Sequence, residues 1–276
     1  MGFQVAMRTR FIFLLTLLIT ATLSAQQTNE LIIPRSAAPF VILPVAGNTP
    51  GANGTFFRSD INIINLRNAA QRVALYWLPQ GQGGSSLPAR IIDLNPLSGF
   101  SSENFVNDVL NREGIGGIEF VALTPQGAFD PNGLLHVTSR IWTPRPDGGA
   151  GTMSQTLPTV VGGDTTFSGL KAIFGLRRST QYRLNVGVMN PAGTVQRFRI
   201  TAHISSAGGT DTQVVEVDVS QRSIQQVTMP GTSSGTVQVL IENITGGAGG
   251  DWHGWASSVD NASGDAWSQL AFAEDD

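Results

Sequence analysis

The stretch FFRSDINIINLRNAAQRVALYWL at residues 56–78 returns 125 residues later as QYRLNVGVMNPAGTVQRFRITAH at residues 181–203. No gap is needed: Arg58 falls on Arg183, Asn65 on Asn190, Gln71 on Gln196 and Arg72 on Arg197, while Ile61, Ile63 and Leu75 meet Val186, Val188 and Ile200. The same offset carries Ile92, Asp93 and Leu94 onto Val217, Asp218 and Val219. Further on the offset shortens to 119, 118 and then 114. IEFVA at 118–122 then matches VQVLI at 237–241, VTSRI at 137–141 matches WASSV at 255–259, and MSQ at 153–155 matches WSQ at 267–269. A self-match that keeps its order over such a length means one unit written twice.

Each unit has a period of two. Leu184, Val186 and Val188 alternate with Arg183, Asn185 and Gly187, as Val215, Val217 and Val219 alternate with Glu216 and Asp218; such alternation sends one set of side chains to a core and the other outward. NPAG at 190–193 joins two of these runs as a turn, with Asn at its first position and Pro presetting the next φ. Roughly seven short strands per unit lead to an all-β fold of two tandem immunoglobulin-like antiparallel β-sandwich domains. The boundaries expected are a signal peptide at 1–25, a linker at 26–38, the first sandwich at 39–158 and the second at 159–276. One short helix is expected in the first domain, where SSENFVNDVLNREG at 101–114 spaces Phe105, Val106, Val109 and Leu110 helically between a Ser cap and a Gly stop.

Arg8 and Arg10 precede the apolar run FIFLLTLLIT, and small residues lead to Ala25. This is the pattern of a secretory signal peptide, and the run is shorter than the about 20 residues of a membrane span. The mature chain is therefore expected outside the cytoplasm, without a membrane span. Removing Arg8 and Arg10 leaves 15 basic against 20 acidic residues. No basic patch emerges, which argues against nucleic acid as a partner. With no cysteine, an exported chain must be held by burial and backbone hydrogen bonds alone.

LPVAGNTPGANGTFFRSDINIIN at 43–65, LLHVTSRIWTPRPDGGAGTMSQTLP at 134–158, IFGLRRSTQYRLNVGVMNP at 173–191 and WASSVDNASGDAWSQ at 255–269 resemble a tandem module of secreted proteins from Acidobacteria and related bacteria. That resemblance implies the architecture and export. It implies no catalytic residue.

Several motifs touch on chemistry. GTSSG at 231–235 fits G-x-S-x-G with Ser233 as nucleophile, but Pro230 precedes it and VQVLIEN follows, so the strand–elbow–helix context is missing and a turn is expected. SGLK at 168–171 matches S-x-x-K without its companion elements. His136, His203 and His253 have no ligand spacing, and at an offset of 118 His136 meets Gly254. Neither a metal nor another cofactor is therefore expected. VDNASGD at 259–265 offers Asp260, Asn261 and Asp265 to calcium, yet Asp and Asn also close turns through their own backbone.

Arg58 and Arg183, with Asp93 and Asp218, recur at equivalent places and are expected to form one structural ion pair per unit. By strand phase, Tyr76, Trp142 and Trp252 look outward and are the candidate ligand-binding residues, unless they pack where the two units meet. The function expected is non-catalytic binding or scaffolding at a glycan or a surface protein. Two alternatives stand beside it: a secreted hydrolase whose carboxylates meet only in the fold, and a self-assembling surface or fibre subunit.

Overall fold

The computed structural model describes residues 33–145, 147–163, 169–246 and 251–273. Among them the chain is all-β, with antiparallel sheets. The first half carries β1 (Phe40–Pro50), β2 (Phe56–Asn65), β3 (Gln71–Pro79), β4 (Arg90–Leu94), β5 (Gly99–Ser102), β6 (Gly114–Leu123), β7 (Leu135–Pro144), β8 (Thr152–Thr156) and a two-residue β9 (Val160–Val161). The second carries β10 (Leu170–Arg178), β11 (Tyr182–Asn190), β12 (Gln196–Ser206), β13 (Gly209–Val219), β14 (Ser223–Thr228), β15 (Gly235–Asn243), β16 (His253–Asp260) and β17 (Ala266–Leu270). The expected signal peptide lies outside the described residues. The last residues of the expected linker are held in place: Ala38 is buried and bridges Leu135, and Ser36 Oγ lies 3.2 Å from His136 Nδ1. Past Pro158, β9 pairs with β1 and stays with the first half.

Strand order repeats. The first half runs β4-β3-β6-β1 and β5-β2-β7-β8; the second runs β13-β12-β15-β10 and β14-β11-β16-β17. Reading β1 against β10, and so on to β8 against β17, the two orders are the same. They differ at one seam. β1 continues past a bulge between Leu43 and Ala46 and pairs Asn48–Pro50 with β2, which joins the two sheets of the first half into one. β10 has its bulge between Ile173 and Leu176 and ends at Arg178, with no pairing to β11 among the described residues.

Register shows where the sequence match holds and where it slips. Arg72 faces Asp93 as Arg197 faces Asp218, at the offset of 125. Phe120 faces Leu75 as Ile241 faces Ile200, an offset of 121 where the sequence match used 119. Two residues out leaves each side chain on its face. For β7 and β16 the slip is one: Ser139 faces Ile61 as Ala256 faces Val186, an offset of 117 in place of 118. One residue turns every side chain over. His136 and His253 are thus equivalent after all, and Trp252 takes the place of the core residue Leu135.

Side chains from both sheets meet in one cluster per half. Ile61, Ile63, Leu75, Ile118 and Phe120 anchor the first; Val186, Val188, Ile200, Ile241 and Trp252 anchor the second. The expected helix shrinks to α1 (Phe105–Asp108). Ser101 and Ser102 are drawn into β5 opposite Asn62 and Ile61, Asn104 stands at the cap position without a side-chain cap bond, and Asn111 turns left-handed at φ 52°. What remains is one turn, too short to stand without the burial of Phe105 and Val106.

A third cluster is shared by the halves. Ile42, Val45, Leu78 and Leu157 meet Met189, Ile224 and Trp255. Gly187 stands opposite Trp255, and a Cβ at Gly187 would collide with the indole; one at Gly117 would come 2.9 Å from Met189 Sδ. Polar bonds cross the same seam: Gly81 N–H donates to Ile224 O at 3.0 Å, and the Arg222 guanidinium donates to Ser85 O at 2.9 Å and to Glu119 Oε2 at 2.7 Å. At the equivalent places on the faces turned away from the seam stand polar residues. Asn62 and Thr138 hold the places of Gly187 and Trp255, and Thr201 and His203 those of Tyr76 and Leu78.

Candidate functional site

The three outward aromatics separate. Trp252 is 1% exposed, packs 5.2 Å from Phe198 in the second core and has Lys171 Nζ 4.8 Å from its ring. Its expected role as a ligand anchor is corrected by the one-residue slip in β16. Tyr76 is half-buried against the shared cluster, with the Arg222 guanidinium 5.2 Å above its ring, so it packs at the seam. Trp142 does reach the surface. Arg58 and Arg140 lie 5.3 and 6.0 Å from its ring, and its indole N–H donates to Glu103 O at 2.9 Å.

The ion pairs are also corrected. Asp93 pairs with Arg72 at 3.0 Å and Asp218 with Arg197 at 3.8 Å, because those residues are direct cross-strand neighbours. Arg58 and Arg183 lie in the other sheet: Arg58 stacks on Phe56 and Trp142, and Arg183 donates to Asn261 Oδ1 at 3.1 Å.

Ser233 sits in a turn and donates to Asp211 Oδ2, and strand β15 begins two residues later. Arg178 pins that turn through Pro230 O and Gly231 O. Ser168 lies outside the described residues; Lys171 donates to Trp252 O at 2.9 Å. Asp260 closes its own turn, accepting from Ala262 N and Ser263 N at 2.7 and 3.0 Å and from Gln181 Nε2 at 2.9 Å. Those bonds hold its carboxyl below the usual range. Among the described residues no group of His, Cys, Asp or Glu is arranged to hold a metal ion. His136 meets Ser36, and His203 Nδ1 lies 3.0 Å from Thr212 Oγ1.

Two cavities flank the seam. One, of about 480 Å³, is lined by Tyr76, Glu119, Arg222 and Asp251. Burial pushes the Glu119 carboxyl up, against the pull of Arg222. Close by, the buried His253 has its Nε2 3.3 Å from Asp251 Oδ2, outside hydrogen-bond geometry.

The other, of about 190 Å³, opens between β1, β7 and β8 on one side and β11, β14 and β16 on the other. Trp255 and Phe57 supply apolar walls; Arg183, Asn185, Gln226 and Gln155 supply polar ones. Asn185 Oδ1 already accepts from Thr228 at 2.7 Å and Gln155 Oε1 from Ser268, which leaves the NH₂ ends as donors. Burial lowers the pKa of Arg183, partly offset by Asp260. Among the described residues, Arg183 is the one charged side chain lining this cleft. Periodicity did mark Arg183 and Asn185 as facing away from their own core. That this face meets the other half could not be read from it.

Searched against known protein families and curated proteins, the chain matches none.

Proposed function

We propose that the chain is an exported, non-catalytic binding or scaffold protein of two tandem β-sandwiches, akin to the tandem module of secreted Acidobacterial proteins, and that it engages a glycan or a surface protein. The observation that carries this reading is the donor-rich cleft of Arg183, Asn185 and Gln226 beside Trp255. A welded seam holds these groups in place before any ligand arrives, which spares the ordering cost of binding. We take each half as a variant of the immunoglobulin-like sandwich with one exchange. The first strand lies beside the sixth, and the seventh beside the second, where the immunoglobulin order has the reverse. Arraying the mature chain on glycans and cell-wall fractions tests the function: saturable binding to at least one class is expected, and binding to none overturns it.

A hydrolase is the second reading, favoured by one observation. Glu119, with its pKa raised by burial, shares a cavity with Asp251, and a raised carboxyl is what a general acid needs. Against it, Glu119 is engaged by Arg222 across the seam. Turnover of chromogenic glycosides that disappears in Glu119→Gln would establish this second reading in place of the first.

A further inference from the structure

Resting on the binding reading, the geometry points to a narrower ligand: we propose that the cleft beside Trp255 takes a single sugar ring bearing a carboxylate, with Arg183 receiving the acid and the amides of Asn185 and Gln226 receiving hydroxyls. Four observations converge. Arg183 is the one charge lining the cleft among the described residues, and its hydrogen bond there goes to a neutral acceptor, Asn261 Oδ1, at 3.1 Å. The guanidinium keeps further N–H donors in a planar fork that matches a carboxylate. Asn185 and Gln155 each commit one lone pair of the amide oxygen to Thr228 and Ser268, and their NH₂ groups add donors for an acceptor-rich guest. Phe57 adds apolar surface suited to the C–H face of a ring, above the buried floor that Trp255 makes.

Size narrows the guest further. About 190 Å³ lies below the roughly 300 Å³ at which sites for drug-sized ligands begin, so the cleft admits one ring and not a stacked chain. Asp260 acts on Arg183 from the adjoining turn, where Gln181 and its own turn amides already hold it. The ring can come from a free sugar acid or from the end of an acidic polysaccharide; the recognising chemistry is the same.

Titration calorimetry of the full mature chain with glucuronate, glucose, the methyl ester of glucuronate and inorganic phosphate decides the matter. Glucuronate should bind saturably, and at least tenfold tighter than glucose, the ester or phosphate. Arg183→Gln should lose at least tenfold, Arg183→Lys less, and Arg140→Gln on the far face nothing. A polysaccharide ending in glucuronate that binds where the free sugar does not assigns the source to the polymer end. Should Arg183→Gln fail to fold, Gln226→Ala is read instead, with a several-fold loss expected. Equal binding of glucose or phosphate, or indifference to these substitutions, overturns the carboxylate-ring assignment. Glycan binding on the array that survives Arg183→Gln discards this cleft but keeps the binding function, whereas an array blank for every glycan and every cell-wall fraction discards both.

Discussion

At the scale of single residues, the duplicated asparagines show what a repeat match can conceal. Asn65 and Asn190 are fully buried. Asn65 Nδ2 donates to Ala69 O and Asn95 O, and its Oδ1 accepts from Arg67 N. Asn190 does the same with Thr194 O, Ser220 O and Ala192 N, and adds Val219 O. Every shared partner sits 125 residues on. The amide therefore clamps the hairpin turn to the loop that follows β4 in the first half and β13 in the second. Leu97 and Arg222, also 125 apart, share a left-handed backbone at φ 49° and 48° in that loop. Replacing either asparagine by alanine leaves two or three carbonyls, most of them part-buried, without that partner, so Asn65→Ala and Asn190→Ala should each cost about 2 kcal/mol in urea unfolding. A cost near zero in either would show that the clamp is dispensable. The identity of these positions was legible in the sequence. Their task was not, because the acceptors are backbone carbonyls, which carry no residue signature.

At the scale of elements, legibility depended on parity. Strands, hairpins and all-β character followed from period-two alternation and turn residues, and the offset of 125 placed β2 to β4 on β11 to β13 in register. The later strands were matched by likeness of letters. An error of two in β6 and β15 did no harm, while an error of one in β7 and β16 turned Trp252 outward on paper. Alternation could not have corrected this, because β16 is buried on both faces: Ala256 looks to the second core and Trp255 to the seam. The helix was overestimated for a related reason, since Ser101 and Ser102 fit a cap by type but are claimed by β5. The Gly187 and Trp255 pair allows a direct check. Gly187→Ala should cost about 3 kcal/mol by displacing the indole, whereas Asn62→Ala, its half-buried equivalent in the first half, should stay within roughly 0.5 kcal/mol. Similar costs at the two sites would refute the register drawn here.

At the scale of the whole molecule, the halves are tied by an apolar cluster and, among the described residues, by one charge pair, Glu119 with Arg222, whose side chains are 6% and 20% exposed. Burial raises the Glu119 pKa; Arg222 and His253 act to lower it and Asp251 to raise it. A carboxyl with a raised native pKa contributes stability that is fully present below its ordinary value of about 4.3 and is lost as pH climbs through the raised one. The melting temperature of the protein, measured relative to Glu119→Gln, should accordingly fall as pH rises from about 4 toward neutrality. A difference that stays flat with pH would contradict the burial of that charge. The seam has a further consequence, for how many modules can stand in a row. Trp255, laid over Gly187 of its own sheet, is the knob that the second half sets against Ile42, Val45, Leu78 and Leu157 of the first, and the first half offers Thr138 and Asn62 in their stead. A third module seated against that face would have to be gripped by other groups there, Trp142 foremost.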